Sequence, residues 1–205
     1  FWSYRAPADP EPPRVKDSSW PRNEIDHFIL AKLEEKGLKP APDADPDTLR
    51  RRLAFDLTGL PPMALSGSDS ASIDALLATP AYAERMASHW LDIARFAESS
   101  GGGRTLPFKD AWRYRDYVIE SFQADVPANR FITEQIAGDI MPAPDAATHR
   151  RQLTATSFLA LGPTNYEEQD KQMLRMDIVD EQLETIGKSL LGQTIGCARC
   201  HDHKF

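Results

Sequence analysis

From residue 23 onward, apolar side chains recur in steps of three and four between proline and glycine breakers, and no alternating, strand-type run interrupts them. That patterning leaves one class of solution, helices packed on helices. The most regular run is the last: Met176, Val179, Leu183, Ile186 and Leu190, closed by Gly192. Its spacing predicts a packing seam, with Asp177, Asp180, Glu181 and Glu184 on a solvated face opposite. Asn23 is placed to cap a helix carrying Ile25, Phe28, Ile29 and Leu33 and ending at Gly37. Asp45-Pro46 starts a second with Leu49, Leu53, Ala54 and Leu57, stopped by Gly59 and Pro61-Pro62. Thr79-Pro80 starts a third through Met86, His89, Trp90 and Ile93 toward Ser99, ended by Gly101-Gly102-Gly103. Further helices are expected over 110–124, with Trp112, Tyr114, Tyr117, Val118 and Phe122 as core, and over 129–138 and 148–161. Ser66 to Ser72 is expected to be a loop.

The predicted fold is therefore all-α, an irregular multi-helix bundle of about seven helices with a Pro-rich extended N-terminal strap. Residues 1–21, with Pro7, Pro10, Pro12, Pro13 and Pro21, form the linker or strap, and residues 22–205 form one helical domain expected to continue past Phe205. A content of 41% hydrophobic residues suffices for a core, and a net charge of -7 argues against nucleic acid or an anionic membrane as partner. No apolar run reaches the roughly 18 residues of a membrane span, so this segment is not expected to insert.

The chemistry is concentrated in Cys197-Ala198-Arg199-Cys200-His201. C-x-x-C-H is the spacing by which c-type haem is attached: the two thiols add to the porphyrin vinyl groups, and the adjoining imidazole reaches the iron as proximal ligand. With 2 cysteines and 5 histidines in 205 residues, roughly one shuffled chain in four thousand would carry it, so chance is a poor account. Two chemical alternatives stay open. One is a zinc site recruiting Cys197, Cys200 and His203, although a closed site wants a fourth ligand. The other is a disulfide or free dithiol, although the thioredoxin-type version wants a βαβ setting. The cofactor expected first is covalent haem c, with zinc as runner-up; protein made without a haem-attachment system would lack the haem.

A sixth iron ligand would come from His27, His89, His149, His203 or one of the five methionines. His203 follows the proximal ligand too closely to reach the opposite face. His27 and His149 sit among polar residues and read as surface side chains, and Met173 and Met176 fit the seam. His89, beside Met86, Trp90 and Ile93, is the candidate distal ligand, with a core-edge histidine as the plainer reading. No nucleophile elbow or triad stands out.

Five ordered runs carry a resemblance. They are Arg22 to Leu30 (RNEIDHFIL), Phe55 to Pro62 (FDLTGLPP), His89 to Ala97 (HWLDIARFA), Ala111 to Asp116 (AWRYRD) and Gly196 to Phe205 (GCARCHDHKF). In this order they resemble the planctomycete cytochrome-like domain of unknown function, the second cytochrome-like type, over nearly the whole chain. The resemblance implies a large exported multidomain protein, in which a cytochrome-c-like domain often precedes this one and another uncharacterised domain follows. It places Cys197, Cys200 and His201 in the presumed haem motif, and His89, Trp90, Asp92 and Arg95 in the family's His-Trp-Leu-Asp-x-Ala-Arg run.

Three functions follow as expectations. The first is an extracytoplasmic c-type haem domain, its signal peptide upstream of Phe1, passing electrons to a redox partner or to adjoining domains of the same polypeptide. The second is a metal- or haem-dependent domain of an oxidative enzyme. The third is a structural or interaction module with zinc or a disulfide at the C-x-x-C-H turn.

Overall fold

The computed structural model describes residues 5–62, 69–101 and 105–202. The chain divides into two units, Phe1–Pro46 and Asp47–Phe205. All regular structure among the described residues is helical, eight α-helices in chain order with short 3-10 and π segments between and after them. Ser99 and Pro107 form an isolated β-bridge.

In the first unit the prolines keep residues 5–15 out of any helix. The segment after them is tied to α1 (Glu24–Glu35): the backbone N–H groups of Lys16 and Asp17 donate to the Glu34 carboxylate, and His27 Nδ1 lies 3.3 Å from the Pro13 carbonyl. Asn23 caps α1 as expected, its side chain accepting from Asp26 N–H. At the other end Gly37 adopts φ +66, and Leu38 N–H closes on Leu33 O, a Schellman stop. The stripe read as core-facing is not buried, however: Ile25, Phe28 and Ile29 are exposed, and Leu30 is the buried residue of the helix.

The second unit opens with α2 (Pro46–Thr58), which buries Ala54, and α3 (Asp69–Leu77). The latter corrects the predicted Ser66–Ser72 loop over 69–72; residues 63–68 lie outside the described residues. Its Ser/Asp/Ala sequence has too little amphipathic contrast to announce a helix.

The core forms where α4 (Pro80–Ile93), α5 (Ala111–Gln123), α6 (Ala128–Ala137) and α7 (Ala146–Ala155) meet, with the 3-10 turn Thr156–Leu159. Ala83 and Ala87, fully buried on α4, let α5 approach closely. Trp90 sits at the centre, edge-on to Phe131 at 5.0 Å and stacked on Phe158 at 5.7 Å. Its indole N–H is shared between Gln135 Oε1 and the Tyr114 hydroxyl, at 2.9 and 3.0 Å, so the buried donor is satisfied. Trp112, expected in the core with its neighbours, is instead half-exposed under the Arg113 guanidinium, 4.7 Å from the ring centre.

A carboxylate is buried in this core. Glu134 is wholly enclosed and is balanced by Arg130, Arg151 and the Tyr117 hydroxyl. Burial, and then the Glu134 charge, push the Tyr117 phenol well above its ordinary range, so it remains a donor.

The end of α4 departs most from expectation. The helix stops at Ile93, not near Ser99, because Arg95 enters the left-handed region at φ +50. Arg95 N–H bonds Asp92 O and Phe96 N–H bonds Leu91 O, the Schellman pattern with arginine where glycine is usual. Asp125 (φ +48) ends α5 in the same way. The Arg95 side chain donates to the carbonyls of Ala94 and Phe158 and forms a two-point ion pair with Glu181 of α8 (Lys171–Ile186).

Two substitutions test this packing. Arg151→Met leaves Glu134 with the more exposed Arg130 as its cation beside the Tyr117 hydroxyl and should destabilise the protein by about 2–3 kcal/mol in urea unfolding, with Glu134→Gln in the same chain recovering part of the loss. At Gly138 a Cβ would collide with the Gln152 carbonyl of α7. Gly138→Ala should therefore lower stability by about 1–3 kcal/mol, read as a shift in the thermal midpoint.

Candidate functional site

The Cys197–His201 segment is carried by α8 and by the way the chain turns back after it. Asp170 caps α8, accepting from the N–H groups of Gln172 and Met173. After Ile186 the chain widens into a π turn, Gly187–Leu191, and Gly192 reverses it at φ +63. Gln193 N–H returns to Gly187 O at 3.0 Å, and a Cβ on Gly187 would meet Gln193 O at 2.9 Å. Only glycine admits so close a return.

The returning strand then runs back along α8. Gly196 N–H donates to the Glu184 carboxylate, which Lys188 holds from one turn on at 2.8 Å. The Lys188 ammonium, followed by the backbone N–H of Gly196, keeps the Glu184 carboxyl below its usual range. Three residues later Arg199 spans Asp177 (2.6 Å) and Asp180 (2.9 Å), with its Nη2 3.2 Å from Met173 Sδ. One line of the helix, Glu184, Asp180, Asp177 and Met173, thus receives Gly196 and then Arg199.

Between those anchors lies a 3-10 turn, Gly196–Arg199, closed by Cys200 N–H on Cys197 O at 3.2 Å. With three residues per turn, positions i and i+3 eclipse, so Cys197 and Cys200 fall on one side. Both are free thiols and both are exposed. His201 is exposed too, and its Nδ1 lies 2.8 Å from the Asp202 carbonyl. A carbonyl only accepts, so Nδ1 is the donor in this contact, and in the neutral ring the lone pair is then on Nε2. Two accessible thiols on one side of a turn and an exposed imidazole directly after them have the donor set that covalent attachment and ligation of a haem require.

The other candidates are dispersed. His89 is exposed on α4, whose buried side is Ala83 and Ala87, so the inward orientation expected of it is not observed. His27 is half-buried in the first unit and His149 is exposed on α7. Met86 and Met141 are half-buried, while Met173 and Met176 are exposed. His203, which entered both the zinc reading and the list of sixth ligands, lies outside the described residues, as does Met63. Among the described residues no group of three or more His, Cys, Asp or Glu side chains is placed to hold a metal ion.

The acidic face of α8 corrects the reading of that helix. Asp177, Asp180, Glu181 and Glu184 are not a solvated face: they engage Arg199, Arg95, Lys188 and a backbone N–H. Of the predicted seam, Ile186 packs on the core and Leu190 is half-buried, whereas Met176, Val179 and Leu183 are exposed. The signal missed in the sequence was Arg199 itself, a cation inside the C-x-x-C spacing with acids at matching three- and four-residue steps upstream.

Compared with known proteins, the chain matches the sequence model of PSCyt2, a protein of unknown function (DUF1549), over residues 24–205. No curated protein and no solved structure matches it.

If the two aspartates hold the turn through Arg199, Arg199→Ala should release it without unfolding the bundle. The Ala198 and Cys200 amides should then exchange with solvent about fivefold faster, a scale set by partly exposed ion pairs, while the amides of α5 keep their protection.

Proposed function

The chain belongs to the PSCyt2 family, whose function is not known, and we propose that it is a covalent haem-binding domain that transfers electrons outside the cytoplasmic membrane. The single observation behind this reading is the Cys197–Cys200–His201 turn, with both thiols exposed and, among the described residues, the hydrogen bond of the His201 ring made through Nδ1 rather than Nε2. When bound, the haem would supply a one-electron carrier whose potential follows its axial ligands, hydrogen bonding and burial.

The residues divide the work. Cys197 and Cys200 would hold the haem as thioethers, each S–H adding across a vinyl group with its hydrogen passing to the neighbouring carbon and no net oxidation. His201 would supply the nitrogen ligand, its ring oriented by the bond to Asp202 O. Arg199, Glu184 and Gly196 keep the turn in register on α8. The extracytoplasmic location accompanies the attachment chemistry, and no helix among the described residues is long and apolar enough to cross a membrane. A net charge of -7 suits a basic redox partner, in another protein or an adjoining domain.

Co-expression with a cytochrome c maturation system in a periplasm tests the reading. The expected product keeps its haem through acid-acetone extraction and gives a c-type pyridine haemochrome spectrum, and Cys197→Ser with Cys200→Ser abolishes the retained haem. A matured wild-type chain with no covalent haem and two titratable thiols would overturn the proposal.

A further inference from the structure

Met176, Val179 and Leu183 form an exposed apolar strip on α8, at 48%, 36% and 48% of their full accessibility. An exposed strip of this kind on a helix that is otherwise well anchored calls for an occupant. At about 100° per residue the strip lies roughly a quarter-turn round the helix from the line Asp177, Asp180, Glu184, which receives the Cys197–His201 turn. It is on the side away from Glu181 and Thr185, and Ile186, seven residues after Val179, borders it where α8 packs on the core. The strip and the thiol-bearing turn are therefore neighbours on one helix.

We propose that this strip is the bed on which one face of the porphyrin rests, with Val179 and Leu183 as its central contacts; the inference rests on reading Cys197 and Cys200 as haem anchors. Three observations favour a porphyrin over other occupants. The thiols sit in a turn fixed beside the strip, so a ring joined to them is held there at high effective concentration. From Met176 to Leu183 the strip runs about 10 Å along the axis, at 1.5 Å per residue, a length suited to a flat macrocycle and short for a protein interface. Arg175, one turn before Val179 and exposed, puts a cation at the strip's margin, where the carboxylates on a porphyrin's edge need one. A second copy of the chain is disfavoured by its net charge of -7. Met176 adds a polarisable thioether to the same surface.

Because Val179 and Leu183 are exposed, Val179→Asp with Leu183→Asp should leave the fold unchanged, which far-ultraviolet circular dichroism and the thermal midpoint verify. The probe is zinc protoporphyrin IX, whose binding to the reduced apo-protein is followed by its fluorescence and does not depend on iron chemistry. Wild type and the Cys197→Ser, Cys200→Ser chain should both bind it, and the double aspartate variant should bind about tenfold or more weakly. Equal binding by the aspartate variant overturns the strip. So does a shift from dimer to monomer in that variant with ring binding intact, which would make the strip an interface between copies. Failure of the underlying reading shows separately, as matured wild type that carries no covalent haem, whatever the ring titration gives.

Discussion

The ion pair between Arg95 and Glu181 ties α8 and the chain that follows it to the rest of their unit. Arg95 is drawn into the left-handed region at the end of α4, a conformation that costs a non-glycine residue about 1–2 kcal/mol. Its guanidinium offsets that cost by meeting three elements at once: its own helix end through Ala94 O, the turn after α7 through Phe158 O, and α8 through both oxygens of Glu181. Gly162 is the complementary condition, since a Cβ there would occupy the space of the Glu181 carboxylate. With both side chains only about a fifth exposed, neither partner is well hydrated when alone, and the geometry is correspondingly well determined.

That pair also sets the rotation of α8 about its own axis. Once Glu181 faces the bundle, Thr185 follows it inward, Asp177, Asp180 and Glu184 come to the flank, and Met176, Val179 and Leu183 turn outward, with Ile186 at the border between that strip and the core. A helix governed by the hydrophobic effect alone would rotate the other way. The three acids on the flank would then have no cation to receive, and the Arg199 turn no place to dock. The exposed strip and the anchored turn are thus two results of one rotation, produced far along the chain from the thiols it positions.

The legible parts of the sequence were those encoded by local chemistry. Asn23 and Thr79 cap helices because their side-chain oxygens reach N–H groups within the same first turn, and Gly37 and Gly192 stop them because glycine tolerates positive φ. The chemistry proposed for Cys197–His201 rests on the same kind of local signal, a spacing within five consecutive residues. What could not be read depends on partners distant in the chain. Arg95 acts as a helix stop only because Glu181, 86 residues away, holds its side chain. The periodicity of α8 marked its apolar positions correctly but carried no information on which face the tertiary ion pairs would claim. His89 was judged from apolar neighbours in sequence, whereas on α4 the inward face is marked by Ala83, Ala87 and Trp90, and His89 lies off it.

The kind of force that fixes the attachment turn matters for the chemistry proposed for it. A turn seated by apolar packing would bury its own side chains and would have to unpack before a large planar group could be joined to it. Here the seat is made by Arg199 on two aspartates and Gly196 on a glutamate, groups that point toward α8 while both thiols and the imidazole face outward. Ion pairs at this level of exposure are individually weak, about 1 kcal/mol or less. They are adequate to hold register and too weak to resist a modest shift of the turn as the ring is received. On the proposed reading, apolar burial would be left to the step after attachment, when Val179 and Leu183 gain a partner, so that the stabilisation of the modified protein would come from the modification itself.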